Sequence, residues 1–425
     1  MNKKSKPLRI LVVLPLYGGS LPIGRFCARG LSDLGHLVET FEAPAFNAAY
    51  NALDDLRVSS QKHQYLQNSF LQMLSNAVLA KVETFEPDMV LCMAQAPLSQ
   101  QALKRLRRDK VTTAMWFVED YKIFTYWQSF APLYDIFAVI QKEPLSSALK
   151  EVGVENSIYL PLAAQPDFHF PFRLSAEDNK IYGADVSFLG AGYPNRRLAF
   201  RKLIHHGLKI WGTEWDGDHV LEPYVQLGGR RISSEECVKI YNATKINLNL
   251  HSSVETDKLV SGGDFINPRT FELAACGAFQ LVDRRQLMPE AFADDELAVF
   301  DSLDELDHKI EYYLNHKDER ELTARKGRMR VLKDHTYAAR MQKLIDFTAA
   351  RIPGWPKVRD EKEIFGPDFP EELRSEVLEL LDKLGLSPAV GFDDLVKAIR
   401  QQQGELSSLD TSILFLDEWR KQYSK

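Results

Sequence analysis

Two doubly wound α/β domains followed by a run of helices are the architecture this sequence predicts. Three observations carry that expectation. The chain has 425 residues, too many for one hydrophobic core. Short apolar runs alternate with helical stretches, and the alternation occurs twice. Between the two series lies a segment, Leu160 to Pro171, carrying Pro161, Pro166 and Pro171, which reads as a joint between domains.

In the first series, Leu8–Leu14 is a continuous apolar run, as a parallel strand covered on both faces requires. A glycine loop and a helix over about 21–34 follow, and Gly35 ends that helix. Strands are predicted at 36–41, 88–93, 111–117 and 135–140, with a long helical region over about 51–84. The second series predicts strands at 184–189, 208–211, 245–250, 279–282 and 297–300. Ile352-Pro353-Gly354-Trp355-Pro356 breaks the chain, and helical patterns follow at about 370–384, 392–403 and 410–422. The expected boundaries are therefore 1–163, 164–350 and 351–425, the last an appended helical module.

Hydrophobic residues make up 45% of the chain and charged residues 26%, an ordinary balance for a soluble globular protein. The net charge of -6 argues against a nucleic-acid partner, because phosphate backbones require a basic field. No apolar run approaches the roughly 18 residues of a membrane span. The basic start, Met1 to Pro7, leads into a strand-like run without a cleavage site, so it does not read as a secretion signal. The four cysteines, Cys27, Cys92, Cys237 and Cys276, are widely spaced. They predict a reducing, cytoplasmic setting and no structural zinc.

The strongest local signal is Asp264-Phe265-Ile266-Asn267-Pro268-Arg269-Thr270-Phe271-Glu272, running on to Gly277. Asn267 suits an N-cap, Pro268 a first helical position and Gly277 a stop. A helix start offers unpaired N–H groups to an anion. Arg269 in the first turn opposes the helix dipole unless an anion is bound there. Glu272, three residues on, shares its face and can accept two hydrogen bonds from a ribose diol. The alternative is a capped core helix with an Arg269–Glu272 surface pair.

Asp264 and Glu272 are separated by seven residues. This spacing resembles the acidic-x7-acidic motif of retaining glycosyltransferases of the GT-B fold. The wording of residues 265–278, together with Tyr241–His251, is similar to the CgeB-type, spore-maturation-like glycosyltransferases. The segment Trp116-Phe117-Val118-Glu119-Asp120-Tyr121 resembles the N-terminal domain that accompanies them. The resemblance spans about 8–348. It implies two Rossmann-like domains facing a cleft, a nucleotide-diphosphate sugar as donor, retention at the anomeric carbon, and no metal or cofactor. It places Asp264 and Glu272 at the reaction, with Asn267, Arg269 and Thr270 on the donor. The first acidic residue of the motif is normally glutamate; here it is the shorter Asp264.

Phe188-Leu189-Gly190-Ala191-Gly192-Tyr193-Pro194-Asn195-Arg196-Arg197 is a strand, a glycine turn and a helix opening on two arginines. Gly190 and Gly192 allow close backbone approach to a ligand, and Arg196 or Arg197 can pair with a diphosphate. A dinucleotide fingerprint is rejected, because Asn195 stands where the third glycine belongs. Gly18 and Gly19 follow the first strand, at the strand end where ligands of such sheets bind. They are expected near the transferred sugar, or else form a plain turn. Trp116, Glu119, Asp120 and Tyr121 are assigned to the acceptor. Rings stack on sugars, and Asp120 or Glu119 can take the acceptor proton, while a helix cap is the equal alternative for Asp120. His251 is expected to touch the donor, and Trp211 to Trp215 to line the base pocket. Asp216-Gly217-Asp218 has the form of a metal-binding DxD but reads as loop.

The function expected is a glycosyltransferase acting from a nucleotide sugar on a glycan, protein or small-molecule acceptor. Two rivals share the architecture: a sugar-nucleotide epimerase and a non-catalytic sugar-nucleotide-binding protein.

Overall fold

Apolar runs in the first series become strands of one sheet. In the computed structural model these are β1 (Arg9–Val13), β2 (Leu37–Phe41), β3 (Met89–Met93), β4 (Thr112–Phe117), β5 (Ile136–Val139) and β6 (Ser157–Tyr159). Their order is β2-β1-β3-β4-β5-β6. β1 is buried along its whole length, as its unbroken hydrophobicity requires. β6 is short, is only partly buried, and had no strand signal in the sequence. The structure describes residues 7–254, 258–260, 263–357, 369–386, 390–402 and 404–423.

The second series forms β7 (Ala184–Leu189), β8 (Leu208–Trp211), β9 (Thr244–Asn249), β10 (Gln280–Asp283) and β11 (Ala298–Phe300). They are ordered β11-β10-β9-β7-β8, with parallel neighbours throughout. One core, around Phe188, Phe200, Ile210, Trp215 and Leu248, lies on one face of this sheet. A second, around Trp211, Ile240, Tyr241 and Leu273, lies on the other. Both faces are covered, which is the doubly wound arrangement.

Contacts divide the chain into two units. One comprises 1–138, 149–158 and 341–425, and the other 139–148 and 159–340. The helices Glu371–Lys383, Phe392–Gln401 and Ser408–Tyr423 form at the predicted places. They bury Leu380, Leu381, Leu395 and Ile399 against one another and against Leu37 of β2. The tail therefore extends the first unit at the β2 edge of its sheet. Among the described residues no helix is long and apolar enough to cross a membrane.

Candidate active site

The helix predicted at Asn267 is present as Pro268–Ala275, and Asn267 caps it. The Asn267 side chain accepts hydrogen bonds from the Thr270 N–H and hydroxyl, both at 3.0 Å. Pro268 has no N–H and that of Thr270 is taken, so of the first three helical positions only Arg269 keeps a backbone donor. The helix start alone is thus a weaker anion site than its sequence suggests. Side chains, not amides, supply most of the positive charge.

Beneath the cap runs a buried polar network. The Asn267 amide donates to Asn249 Oδ1 at 2.8 Å. Asn249 donates to Thr270 Oγ1 at 2.9 Å and to Gln280 Oε1 at 3.0 Å. Gln280 returns a bond to the Thr270 carbonyl at 2.8 Å. The backbone N–H of Asn267 donates to His251 Nε2 at 2.9 Å. That bond makes Nε2 an acceptor, so Nδ1 carries the proton and donates to Asp283 at 2.6 Å. Burial pushes His251 down to about 4, so the ring is neutral. Burial would raise the Asp283 carboxyl, but His251 and then Arg285, at 3.3 Å, hold it below its ordinary value. Both ring nitrogens of His251 are occupied, and the residue is buried. It positions the helix start and has no nitrogen free for a donor, contrary to the sequence expectation.

Asn249, Gln280, Asp283 and Arg285 went unassigned in the sequence. A signal was present: in the buried strand β9, polar residues recur at every second position, Asn247, Asn249 and then His251. That period-2 pattern places them on one face of the strand, facing the capped helix.

The two arginines after the glycine turn separate cleanly. Arg197 donates to the carbonyls of Gly192 at 2.8 Å, of Asp216 at 3.0 Å, and of Glu214. It clamps two loops together. Arg196 is buried, held by the Leu250 carbonyl at 2.9 Å and the Ala191 carbonyl at 3.0 Å. Its guanidinium lies 5.0 Å from the Phe188 ring centroid, and that of Arg269 lies 6.0 Å from the same ring. Burial and then Arg269 push Arg196 down to about 9. Arg269 Nε is buried without a hydrogen-bond partner. Two buried cations thus share one phenylalanine, and Glu272, reached through Tyr241, and Asp283 offset only part of their charge without a direct ion pair to either among the described residues.

Glu272 does not pair directly with Arg269, as the alternative reading required. Tyr241, fully buried, donates its hydroxyl to Glu272 Oε2 at 3.0 Å and also bonds Arg269. Asp264 accepts from the Phe265 N–H at 2.8 Å and from Gln141 at 3.1 Å. Gly192 is required for a different reason than expected, since a Cβ there would collide with the Glu214 carbonyl. Its bareness lets two loops of the protein meet, rather than admitting a ligand. Gly190 is likewise crowded, by the Phe188 ring. Trp211 and Trp215 are buried core residues, not pocket walls. Asp218, in the Asp216-Gly217-Asp218 loop, is buried against Arg201 at 3.0 Å.

In the first unit, Gly18 has φ +104°, and both it and Gly19 have open space where a Cβ would stand. Trp116 is fully buried in β4, so its ring cannot stack on an acceptor. An all-buried parallel strand consumes its aromatics as core. Asp120 accepts from the Lys122 N–H at 3.0 Å and shapes a turn over 121–123, where a helix cap was the alternative expected. Tyr121 packs edge-on against Trp127. Glu119 accepts from Gln95 at 2.6 Å and from the Tyr126 hydroxyl at 3.0 Å. Burial lifts its carboxyl above the ordinary value despite both bonds. Gln95 and Tyr126 also line a cavity of about 540 Å³ with Gln72, Gln100, Phe130 and Tyr134, and no charged side chain lines it.

Among the described residues one grouping, His205, His206 and Asp307, brings metal-ligating atoms together. It precedes β8, at the opposite end of the sheet from Asn267.

Residues 196–346 match the family described as "Glycosyl transferase-like". The spore protein CgeB of Bacillus subtilis (strain 168) is 26% identical over 260 residues, which cover 58% of this chain and 78% of that protein. Among solved structures, Anabaena Alr3699/HepE in complex with UDP-glucose has a TM-score of 0.54 at 12% identity, covering 81% of this chain and 100% of that one. Sucrose-phosphate synthase from Thermosynechococcus elongatus has a TM-score of 0.53 at 13% identity, covering 80% and 98%. The fold is GT-B, and the class is that of a glycosyltransferase. Within that class the chain is CgeB-like in sequence.

Proposed function

We propose that this protein transfers a sugar from a nucleoside-diphosphate sugar to an uncharged carbohydrate acceptor, with retention and without a metal. The observation that carries the donor reading is the Arg196–Arg269 pair on Phe188. It has a surplus of buried positive charge that a diphosphate would neutralise. As the glycosidic bond breaks, negative charge grows on the leaving diphosphate. Fixed guanidinium groups in a desolvated site meet that charge without reorganisation, the role a metal plays elsewhere. Glu272, oriented by Tyr241, then holds the ribose diol, and Asp264, held by Gln141, addresses the sugar. The structural neighbour crystallised with UDP-glucose supports a uridine nucleotide as the first donor to test. Retention rests on the motif spacing alone.

The acceptor reading rests on the uncharged cavity beside Glu119. Amides, hydroxyls and rings without charge suit a neutral polyol better than a phosphorylated or basic group. On this reading Glu119, its carboxyl raised by burial, takes the acceptor proton.

The test is incubation with UDP-glucose and other nucleotide sugars, with and without neutral oligosaccharides. Nucleotide release that depends on the oligosaccharide is expected. Interconversion of the donor would indicate an epimerase instead, and binding without turnover would defeat the transfer reading.

A further inference from the structure

We infer that the first unit carries a second anion site, for a phosphate ester or diphosphate, between the helical tail and the amino end of its sheet. The site is a cavity of about 770 Å³. Its size falls within the range of small-molecule pockets. It lies at the start of β1, whereas Gly18 and the cavity beside Glu119 follow the carboxyl ends of strands.

Six cations line it: Arg9, Lys81, Lys397, Arg400, Arg420 and Lys421. Three carboxylates, Glu39, Asp393 and Asp417, share the lining. Two of them are shared among several cations, and the third meets one cation at the rim. Glu39 serves both Lys81 at 2.6 Å and Lys397 at 3.5 Å. Asp417 serves Arg400 at 2.9 Å, Arg420 at 3.1 Å and Lys421 at 2.6 Å. Asp393 meets Arg420 at the rim. Asp394 and Glu418 stand outside the lining, next to Arg9 at 3.4 Å and beside Arg400.

The deep end is the informative part. Arg9 is only 8% exposed, and its Nε has no hydrogen-bond partner. A buried guanidinium nitrogen left unpaired costs free energy unless a ligand takes it. Its guanidinium lies 5.0 Å from the Phe85 ring centroid, and the Lys397 ammonium lies 4.3 Å from the same ring. Two cations thus converge on one apolar floor, completed by Val396. A phosphate group between them would accept from both, while its organic part would lie on Phe85 and Val396. Because Lys397 and Arg400 come from one tail helix and Lys421 from another, occupancy would tie the tail to β1.

Calorimetric titration with inorganic pyrophosphate tests this. The wild type is expected to bind two equivalents, one at Arg269 and one in the cavity. Lys397→Gln should weaken only the second, by roughly tenfold or more. Arg269→Ala should remove only the first. Lys421→Gln, whose side chain is 52% exposed, serves if Lys397→Gln does not fold. A single equivalent that disappears with Arg269→Ala would overturn the inference while leaving the donor reading intact. Two equivalents in Arg269→Ala would instead count against the donor reading. Phosphatidate vesicles offered in place of pyrophosphate distinguish a lipid headgroup from a soluble ester. Either result upholds phosphate recognition if Lys397→Gln abolishes the binding.

Discussion

Two phenylalanines in this chain, Phe188 and Phe85, each carry two cations, yet their surroundings differ. Phe188 holds Arg196 and Arg269 beside a capped helix start, with no carboxylate paired to either among the described residues. Phe85 holds Arg9 and Lys397, with Glu39 and Asp394 near enough to offset part of the charge. The difference teaches how to rank two basic sites that composition alone cannot separate. Where carboxylates already compensate, a ligand must compete with them and gains less. On this comparison the Phe188 site is expected to be the stronger attractor for a diphosphate and the Phe85 site the weaker.

The largest effect that would break this comparison is at Glu272. Glu272→Ala should lower donor-dependent nucleotide release by about a hundredfold, as expected for losing charged hydrogen bonds, with the circular dichroism spectrum unchanged. Unaltered release would remove Glu272 from the site. Next, Arg269→Ala should weaken UDP binding by about 1.5–3 kcal/mol, whereas Arg197→Ala should leave UDP affinity unchanged and lower thermal stability. The reverse pattern, read by calorimetry and melting, would exchange their roles.

A smaller effect separates the two regions by pH. Burial, aided by neighbouring cations, pushes His251 and His335 each down to about 4. A free imidazole titrates near 6.5. The unfolded chain therefore takes up protons in this window that the folded chain refuses. Stability contributed by the neutral rings is complete above about pH 6.5 and is lost as pH falls toward about 4, on the order of 2–3 kcal/mol per histidine. No histidine lines the Phe85 cavity. Hydrogen exchange at about pH 5 should accelerate first in the Pro268–Ala275 helix, and equal acceleration in the tail helices would contradict this.

Much of the fold was legible before any coordinates. The apolar runs at Leu8–Leu14 and Ala184–Leu189 are strands because parallel strands buried on both faces must be continuously hydrophobic. The helix at Asn267-Pro268 was equally plain, since its cap and first residue are local chemistry. The site was less legible. Trp116 reads as a sugar-stacking ring and is core. His251 reads as a ligand and is a support. Arg196 and Arg197 read alike, yet Arg196 is buried on Phe188 beside Arg269 whereas Arg197 bridges two loops.

By itself, then, the sequence determined most of the strands and helices, the capped helix at Asn267, and the acidic pair Asp264 and Glu272. Period, propensity and capping act over a few residues. The tertiary structure decided which cations converge on Phe188 and Phe85, which arginine clamps loops, and how Asn249, His251 and Asp283 support the helix start. These facts join residues far apart in sequence: Arg269 and Phe188, or Arg9 and Lys397, meet only when the chain folds. Electrostatic interaction depends on distance and burial in space, and neither quantity is carried by order along the chain.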